Sequence, residues 1–155
     1  MKTVKQPIDS DECVLACIAM VTDQPLHKVR LMAIDAGKWI AGSKEQNPSI
    51  SLELTTVLLA QHGLFLGLSA NFSRALVLEE PDLHDHLDVS FRVDDLDGLL
   101  TVGEEHSSNR HLVVWDSESR LIRDPHWSAP ETTSICDVKI FQWYPLVAKT
   151  NTGWC

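Results

Sequence analysis

Three kinds of side chain that cysteine hydrolases use together occur in this chain: a thiol, an imidazole and a carboxylate. Cys13 follows the polar stretch Asp9-Ser-Asp-Glu12, His111 opens the apolar run His111-Leu-Val-Val-Trp115, and Asp124 precedes Pro125. A thiol is a good nucleophile near neutral pH when a helix N-terminus or a neighbouring imidazolium stabilises its thiolate. The sequence predicts both kinds of stabilisation for Cys13.

Each of these residues also has a purely structural interpretation. Cys13 is followed by Cys17 one helical turn later, and both can be small buried apolar residues of a core helix. His111 can simply open a strand, and Asp124-Pro125 can be a common turn at a strand end. The functional interpretation therefore requires that the fold bring the three side chains together.

The first third of the chain has the hydrophobic periodicity of helices. A helix is predicted from Cys13 to about Thr22, capped by Ser10 or Asp11, so that the thiol lies in its first turn. Two further helices are predicted, from Asp23-Gln-Pro25 to Gly37 and from Ser49 or Ile50 to His62, with a loop at 38–48 between them.

The second half of the chain changes to short β-prone runs separated by Gly, Ser, Asn, Asp and Pro. The runs lie at Ala75–Leu78, Val89–Val93, Leu99–Val102, His111–Trp115, Arg120–Arg123 and Val138–Val147. Helices followed by strands are typical of an α+β fold, here with N-terminal helices packed on an antiparallel β-sheet. The length of 155 residues favours a single domain, 1–155.

The hairpin that joins the runs His111–Trp115 and Arg120–Arg123 decides whether His111 and Asp124 meet. A tight turn at Ser117-Glu118, or a four-residue loop from Asp116 to Ser119, places His111 directly opposite Asp124. Directly opposed side chains have Cβ atoms about 4.5–5.5 Å apart, within reach of an imidazole-to-carboxylate hydrogen bond. A slip of one residue would instead place the two side chains on different faces of the sheet.

Composition narrows the classes of partner. The net charge is −9, and eight acidic residues fall between Glu79 and Asp97, where Arg92 is the one basic residue. Nucleic-acid binding relies on Lys and Arg, so no nucleic-acid partner is expected. A basic peptide or protein substrate is compatible with this charge, and so is a solvated acidic face.

No membrane span is expected, since no apolar run approaches about 20 residues, and the N-terminus lacks the apolar region of a secretory signal. We therefore expect a cytoplasmic protein with reduced cysteines.

Cys13-x3-Cys17 together with His84-Asp-His86 suggests a metal site only weakly, because the spacing is not that of a zinc knuckle. No metal and no cofactor are predicted.

The blocks Cys13-x-x-Ala16-Cys17-x-Ala19-Met20, His111-x-Val-Val and Ile122-x-Asp124-Pro125 resemble the papain-like peptidases that include the bacteriocin-processing, double-glycine-leader peptidases. The resemblance implies a stand-alone papain-like domain, bacterial or phage in type. In that family the nucleophile opens the first helix, the histidine opens a strand and Asp-Pro ends the next. It therefore implies a triad of Cys13, His111 and Asp124.

Two positions depart from the family pattern. Val14 stands where the family usually has Gly, and Gln6 lies seven residues before Cys13, where the family has its oxyanion-stabilising glutamine six residues before. Gln6 is the candidate for that role. The expected function is a cysteine hydrolase that cleaves a peptide or isopeptide bond through a thioester. The alternative is a catalytically inert binding module that engages a partner protein.

Overall fold

The structure is a computed structural model that describes residues 1–8, 10–37, 39–40, 51–67, 95–103 and 110–148. Within these ranges the chain is an α+β fold with three α-helices and a five-stranded antiparallel sheet, as predicted. The helices are α1 Cys13–Thr22, α2 Leu26–Asp35 and α3 Leu52–Ala60, and the strands are β1 Leu64–Leu66, β2 Gly98–Gly103, β3 Arg110–Asp116, β4 Leu121–Arg123 and β5 Lys139–Ala148. The strand order is β1-β5-β2-β3-β4.

Some predicted elements differ from the structure. The predicted strands at 75–78 and 89–93 lie outside the described residues. The other four predicted strands are confirmed within two residues at each end, whereas β1 and a short 3-10 helix at Ile135–Asp137 were not predicted. None of the three helices has the length and apolar character that crossing a bilayer requires.

The start of α1 coincides with the prediction, but its cap does not. Glu12, rather than Ser10 or Asp11, is the N-cap residue, and its side chain makes no capping hydrogen bond. Instead, the Glu12 carboxylate accepts three hydrogen bonds of 2.6–3.1 Å from the guanidinium of Arg30 in α2. This ion pair fixes the first turn of α1, and with it Cys13, against α2.

The boundaries of α2 and α3 follow from local backbone chemistry. Asp23 does not begin α2 as predicted: it is the left-handed C-cap of α1, with φ 51°, and Pro25 precedes the first turn of α2. Gly37, at φ +66°, follows the end of α2, where a left-handed residue favours glycine. Ser51 caps α3 by accepting a hydrogen bond from the N–H of Leu54.

The sheet is covered on both faces. One face packs against the helices through Leu99, Leu112, Val114, Tyr144 and Leu146. The opposite face forms a second cluster of Leu100, Val102, Val113, Trp115, Ile122, Ile135 and Trp143. Gly98 lies directly under the indole of Trp143, where any side chain would collide with Nε1. Successive residues of β3 therefore point alternately into two separate cores.

The hairpin between β3 and β4 has a register two residues away from the predicted one. Val114 pairs with Arg123, Trp115 with Ile122 and Asp116 with Leu121. The loop is Ser117–Arg120, and Arg120 adopts the left-handed conformation with φ 55°. Asp97, just before β2, accepts hydrogen bonds from both the N–H and the hydroxyl of Ser117. These contacts from outside the hairpin favour the observed loop.

A buried ion pair closes the loop end of this hairpin. Asp116 is 2% exposed, and its Oδ2 accepts hydrogen bonds from Nε and Nη2 of Arg123 at 3.0 and 2.8 Å. Burial alone would raise the pKa of Asp116, but hydrogen bonds from Arg123 and Ser119 outweigh it and lower that pKa below its ordinary value. The carboxylate is therefore ionised at neutral pH.

Replacing Arg123 by Met is expected to destabilise the fold strongly. Removing one partner of a buried ion pair costs about 3 kcal/mol or more of unfolding free energy. Arg120→Met, which breaks an exposed pair with Asp95, serves as the control and should cost less than about 1 kcal/mol. Urea unfolding measures the change in unfolding free energy for both variants.

The decrease in unfolding free energy caused by Arg123→Met should also depend on pH. Because the folded pKa of Asp116 lies below its ordinary 3.8, the stabilisation is complete above that value and is lost as the pH falls through the folded pKa. The difference in unfolding free energy between wild type and Arg123→Met should shrink in acid. A difference that stays constant from pH 7 to pH 2 would contradict the assignment.

Candidate active site

His111 and Asp124 form a hydrogen-bonded pair at the open end of the hairpin. His111 is the second residue of β3, and Asp124 directly follows β4. The two atoms His111 Nε2 and Asp124 Oδ2 lie 3.0 Å apart. The side chain of His111 is 38% exposed and that of Asp124 is 15% exposed. Because the register differs by two residues, the pair is diagonal rather than directly opposed, and it stays on one face of the sheet.

The other oxygen of Asp124 is held by its own turn. Oδ1 accepts a hydrogen bond of 2.8 Å from the backbone N–H of His126, two residues later. Burial would raise the pKa of Asp124, but the hydrogen bonds from His111 and His126 and the charges of His111 and Lys5 lower it overall. An ionised Asp124 retains the proton of His111 on Nε2, so that Nδ1 carries the lone pair.

Cys13 lies beside the residue that follows His111. It is the first residue of α1, is 6% exposed, and its thiol hydrogen-bonds to the backbone of Leu112. Burial raises the pKa of Cys13, the backbones of Leu112 and Val14 lower it, and the charges of Asp11 and Asp124 raise it further. The net direction is upward, the reverse of the predicted stabilised thiolate, because loss of water around the sulfur outweighs the backbone hydrogen bonds.

Cys17 has a structural role next to the same strand residue. It is fully buried, and its Sγ donates a hydrogen bond of 3.3 Å to the carbonyl of Leu112. Burial raises the pKa of Cys17 well above its ordinary value. The pairing of β3 with β4 begins at Val114, and the backbone of Leu112, two residues earlier, contacts the thiols of Cys13 and Cys17.

The three candidate residues lie along the same stretch of β3: His111 is hydrogen-bonded to Asp124, and Cys13 contacts the backbone of Leu112, the next residue after His111. Strand alternation places His111 on the face shared by Val113 and Trp115, whereas Leu112 points to the helical face. α1 approaches this stretch from the helical side and presents Cys13 there. The imidazole of His111 is partly exposed, whereas the thiol of Cys13 is buried.

Gln6 is tied to both neighbouring segments. It is 8% exposed, its backbone N–H donates to the carbonyl of Pro125 at 2.8 Å, and its Nε2 donates to the carbonyl of Ser10 at 2.6 Å. Its Oε1 has no hydrogen-bond partner among the described residues. The amide nitrogen carries two protons, so the bond to Ser10 orients the group and leaves its second N–H for another acceptor.

His126 and Trp127 extend the site beyond the predicted residues. The ring centroids of His111 and His126 lie 6.4 Å apart, and those of His126 and Trp127 lie 5.6 Å apart. Trp127 packs on His126 and is 46% exposed. The Asp-Pro-His order is a local signal for the turn that places His126, because Asp side chains commonly accept from the N–H two residues on.

Metal ligands do not cluster in the part of the chain that the structure describes: no three His, Cys, Asp or Glu side chains there could hold an ion together. His84 and His86, considered with Cys13 and Cys17, lie outside that part. The chemistry available at this site is that of a thiol, an imidazole and a carboxylate.

No family model, curated protein or solved structure matches this chain. The resemblance to papain-like peptidases therefore stays a prediction from the sequence.

The cysteines should differ in their reaction with iodoacetamide in the folded protein. Cys17 is fully buried with a raised pKa and should stay unmodified, whereas Cys136 is exposed and should be labelled. Peptide mass spectrometry after labelling measures each position, and labelling in urea provides the control in which Cys17 becomes reactive. Rapid labelling of Cys17 in the folded state would contradict the packing of α1 on β3.

Proposed function

We propose that this chain is a papain-like cysteine hydrolase that cleaves a peptide or isopeptide bond through Cys13, His111 and Asp124. The observation that carries the proposal is the 3.0 Å contact between His111 and Asp124, next to the backbone that binds the Cys13 thiol. A carboxylate that fixes one nitrogen of an imidazole leaves the other to act on a nucleophile. Each of the three residues then has a distinct chemical role.

Activation begins with proton transfer from the Cys13 thiol to Nδ1 of His111. Asp124 accepts from Nε2–H and stabilises the resulting imidazolium. Burial raises the pKa of Cys13, so a lone thiolate is costly there, and the sulfur ionises as an ion pair with the imidazolium. His111 is thus required for reactivity near neutral pH.

The thiolate then attacks the substrate carbonyl carbon, and a C–S bond forms as the carbonyl oxygen becomes an oxyanion. The first-turn N–H groups of a helix point out of its N-terminus, so the backbone of Cys13 supports that oxyanion. The second N–H of Gln6 is the candidate for a further donor. The proton on His111 moves to the leaving nitrogen as the C–N bond breaks.

The thioester on Cys13 is hydrolysed in the second half of the reaction. Water attacks as His111 takes its proton, and the C–S bond breaks to release the carboxylic acid and restore the Cys13–His111 pair. An amine in place of water would give acyl transfer by the same steps. The net charge of −9 favours a basic peptide or protein as substrate.

An inert binding module is the second candidate, and two observations favour it. Burial raises the pKa of Cys13, which opposes a reactive thiol. Val14 also occupies the position after the cysteine, where the resemblance leads us to expect glycine. In that case the site residues would preserve the fold and bind a partner without turnover. Thiol reactivity distinguishes the two candidates.

We expect Cys13 to react with iodoacetamide faster than Cys136 below pH 8, because His111 supplies the counter-charge for its thiolate. In His111→Gln that advantage should disappear, and labelling of Cys13 at pH 7 should fall by about tenfold or more. His27→Gln, at an exposed position of α2, is the matched control and should behave as wild type. Labelling rates from pH 5 to 10, resolved by peptide mass spectrometry, provide the profile. A Cys13 no more reactive than Cys136 would refute the hydrolase proposal.

Acylation by p-nitrophenyl acetate tests the other two roles without a known substrate. Cys13→Ala should abolish the burst of nitrophenolate, and Asp124→Asn should slow it by about 10²–10⁴, because the imidazole loses its correct tautomer. Gln6→Ala should slow it by about 10²–10³ if its amide is an oxyanion donor. Gln24→Ala, in the turn between α1 and α2, controls for loss of a glutamine. A Gln6→Ala burst as fast as that of Gln24→Ala would exclude Gln6 from the oxyanion site.

A further inference from the structure

The ammonium group of Lys5 lies among four backbone carbonyls of one turn. Its Nζ donates to the carbonyl oxygens of Asp124 at 3.0 Å, His126 at 3.1 Å, Ala129 at 2.7 Å and Pro130 at 3.1 Å. An ammonium has three protons, so at least one of them is shared between two carbonyls. The half-buried Lys5 therefore occupies the centre of the segment that follows β4.

This segment, residues 124–130, needs a cation at its centre. Carbonyl oxygens that converge on one point repel one another, and a charged donor between them replaces that repulsion with charge-assisted hydrogen bonds. The segment begins with Asp124 and contains the N–H of His126 that holds Asp124 Oδ1. The position of the Asp124 carboxylate thus depends on the shape of residues 124–130.

Two further bonds align the N-terminal segment with the same residues. Thr3 Oγ1 donates to the carbonyl of Glu131 at 2.8 Å, and the N–H of Gln6 donates to the carbonyl of Pro125 at 2.8 Å. Lys5 lies between these two contacts. One short stretch of chain therefore connects Gln6 to the turn that carries Asp124.

We propose that Lys5 is a positioning residue of the site: its ammonium fixes the turn at 124–130 so that Asp124 Oδ2 meets Nε2 of His111. The catalytic meaning of this role rests on the proposed hydrolase function. The geometric role does not, because the position of the proton on His111 can be measured without turnover.

Lys5→Met removes the ammonium and keeps the length of the side chain. In wild type, ¹⁵N NMR of the imidazole rings should show His111 as the Nε2–H tautomer, because Asp124 accepts that proton. In Lys5→Met we expect a mixture containing the Nδ1–H tautomer and a slower burst with p-nitrophenyl acetate. The slowing should be about tenfold or more, within the ~10⁴ that the wrong tautomer can cost.

Lys2→Met is the matched control, since it removes the same charge from an exposed side chain three residues earlier. It should retain the wild-type tautomer and burst. Lys5→Arg keeps the charge and several donors and should restore most of the Nε2–H signal. Thermal unfolding verifies that each variant is folded. If Lys5→Met does not fold, Lys5→Gln, which has donors but no charge, should show more of the Nδ1–H tautomer than Lys5→Arg.

The outcomes separate this inference from the proposed function. A folded Lys5→Met, or Lys5→Gln in its place, with His111 still entirely in the Nε2–H tautomer overturns the positioning role, even when Cys13 is a fast nucleophile. A shift of tautomer in Lys5→Met but not in Lys2→Met supports the role, even when Cys13 proves no more reactive than Cys136 and the hydrolase proposal fails.

Discussion

The backbone of Leu112 is the point on which the rest of the structure depends. Buried N–H and C=O groups at a strand edge must find partners, and here β4 reaches only as far as Val114. The thiols of Cys13 and Cys17 are partners of the Leu112 backbone. The same contact places the candidate nucleophile next to Leu112, the residue that follows His111 in β3.

Two carboxylates lie at opposite ends of the β3–β4 hairpin: Asp116 pairs with Arg123 at the loop end, and Asp124 pairs with His111 at the open end. Asp116 and Asp124 both have lowered pKa values despite burial, but for different reasons. A guanidinium that stays charged at every accessible pH neutralises Asp116. Asp124 faces an imidazole, whose charge changes during the proposed reaction. In the proposed reaction, the Asp116–Arg123 ion pair therefore keeps its charges at the loop end of the hairpin while the charge of His111 changes at the open end.

Local sequence signals predicted most of the fold but not the details of the site. Helix α1 and strands β2 to β5 follow from periodicity and turn residues near each element, and helix α3 lies within the predicted range from Ser49 or Ile50 to His62. The hairpin register was wrong by two residues because its loop lacks Gly or Asn, and because Asp97, outside the hairpin, holds Ser117. Lys5 could not be predicted, since its carbonyl partners lie 119 to 125 residues away in the sequence.

The diagonal contact between His111 and Asp124 restricts how this chain can change through evolution. Side chains of a strand alternate between faces, so an insertion of one residue in the loop Ser117–Arg120 that shifts the pairing would move Asp124 to the other face. A shift of two residues restores the face, as the difference between the predicted and the observed register illustrates. Descendants that keep the pair should therefore be those in which a change of the loop leaves the pairing of Val114 with Arg123 in place or shifts it by an even number of residues.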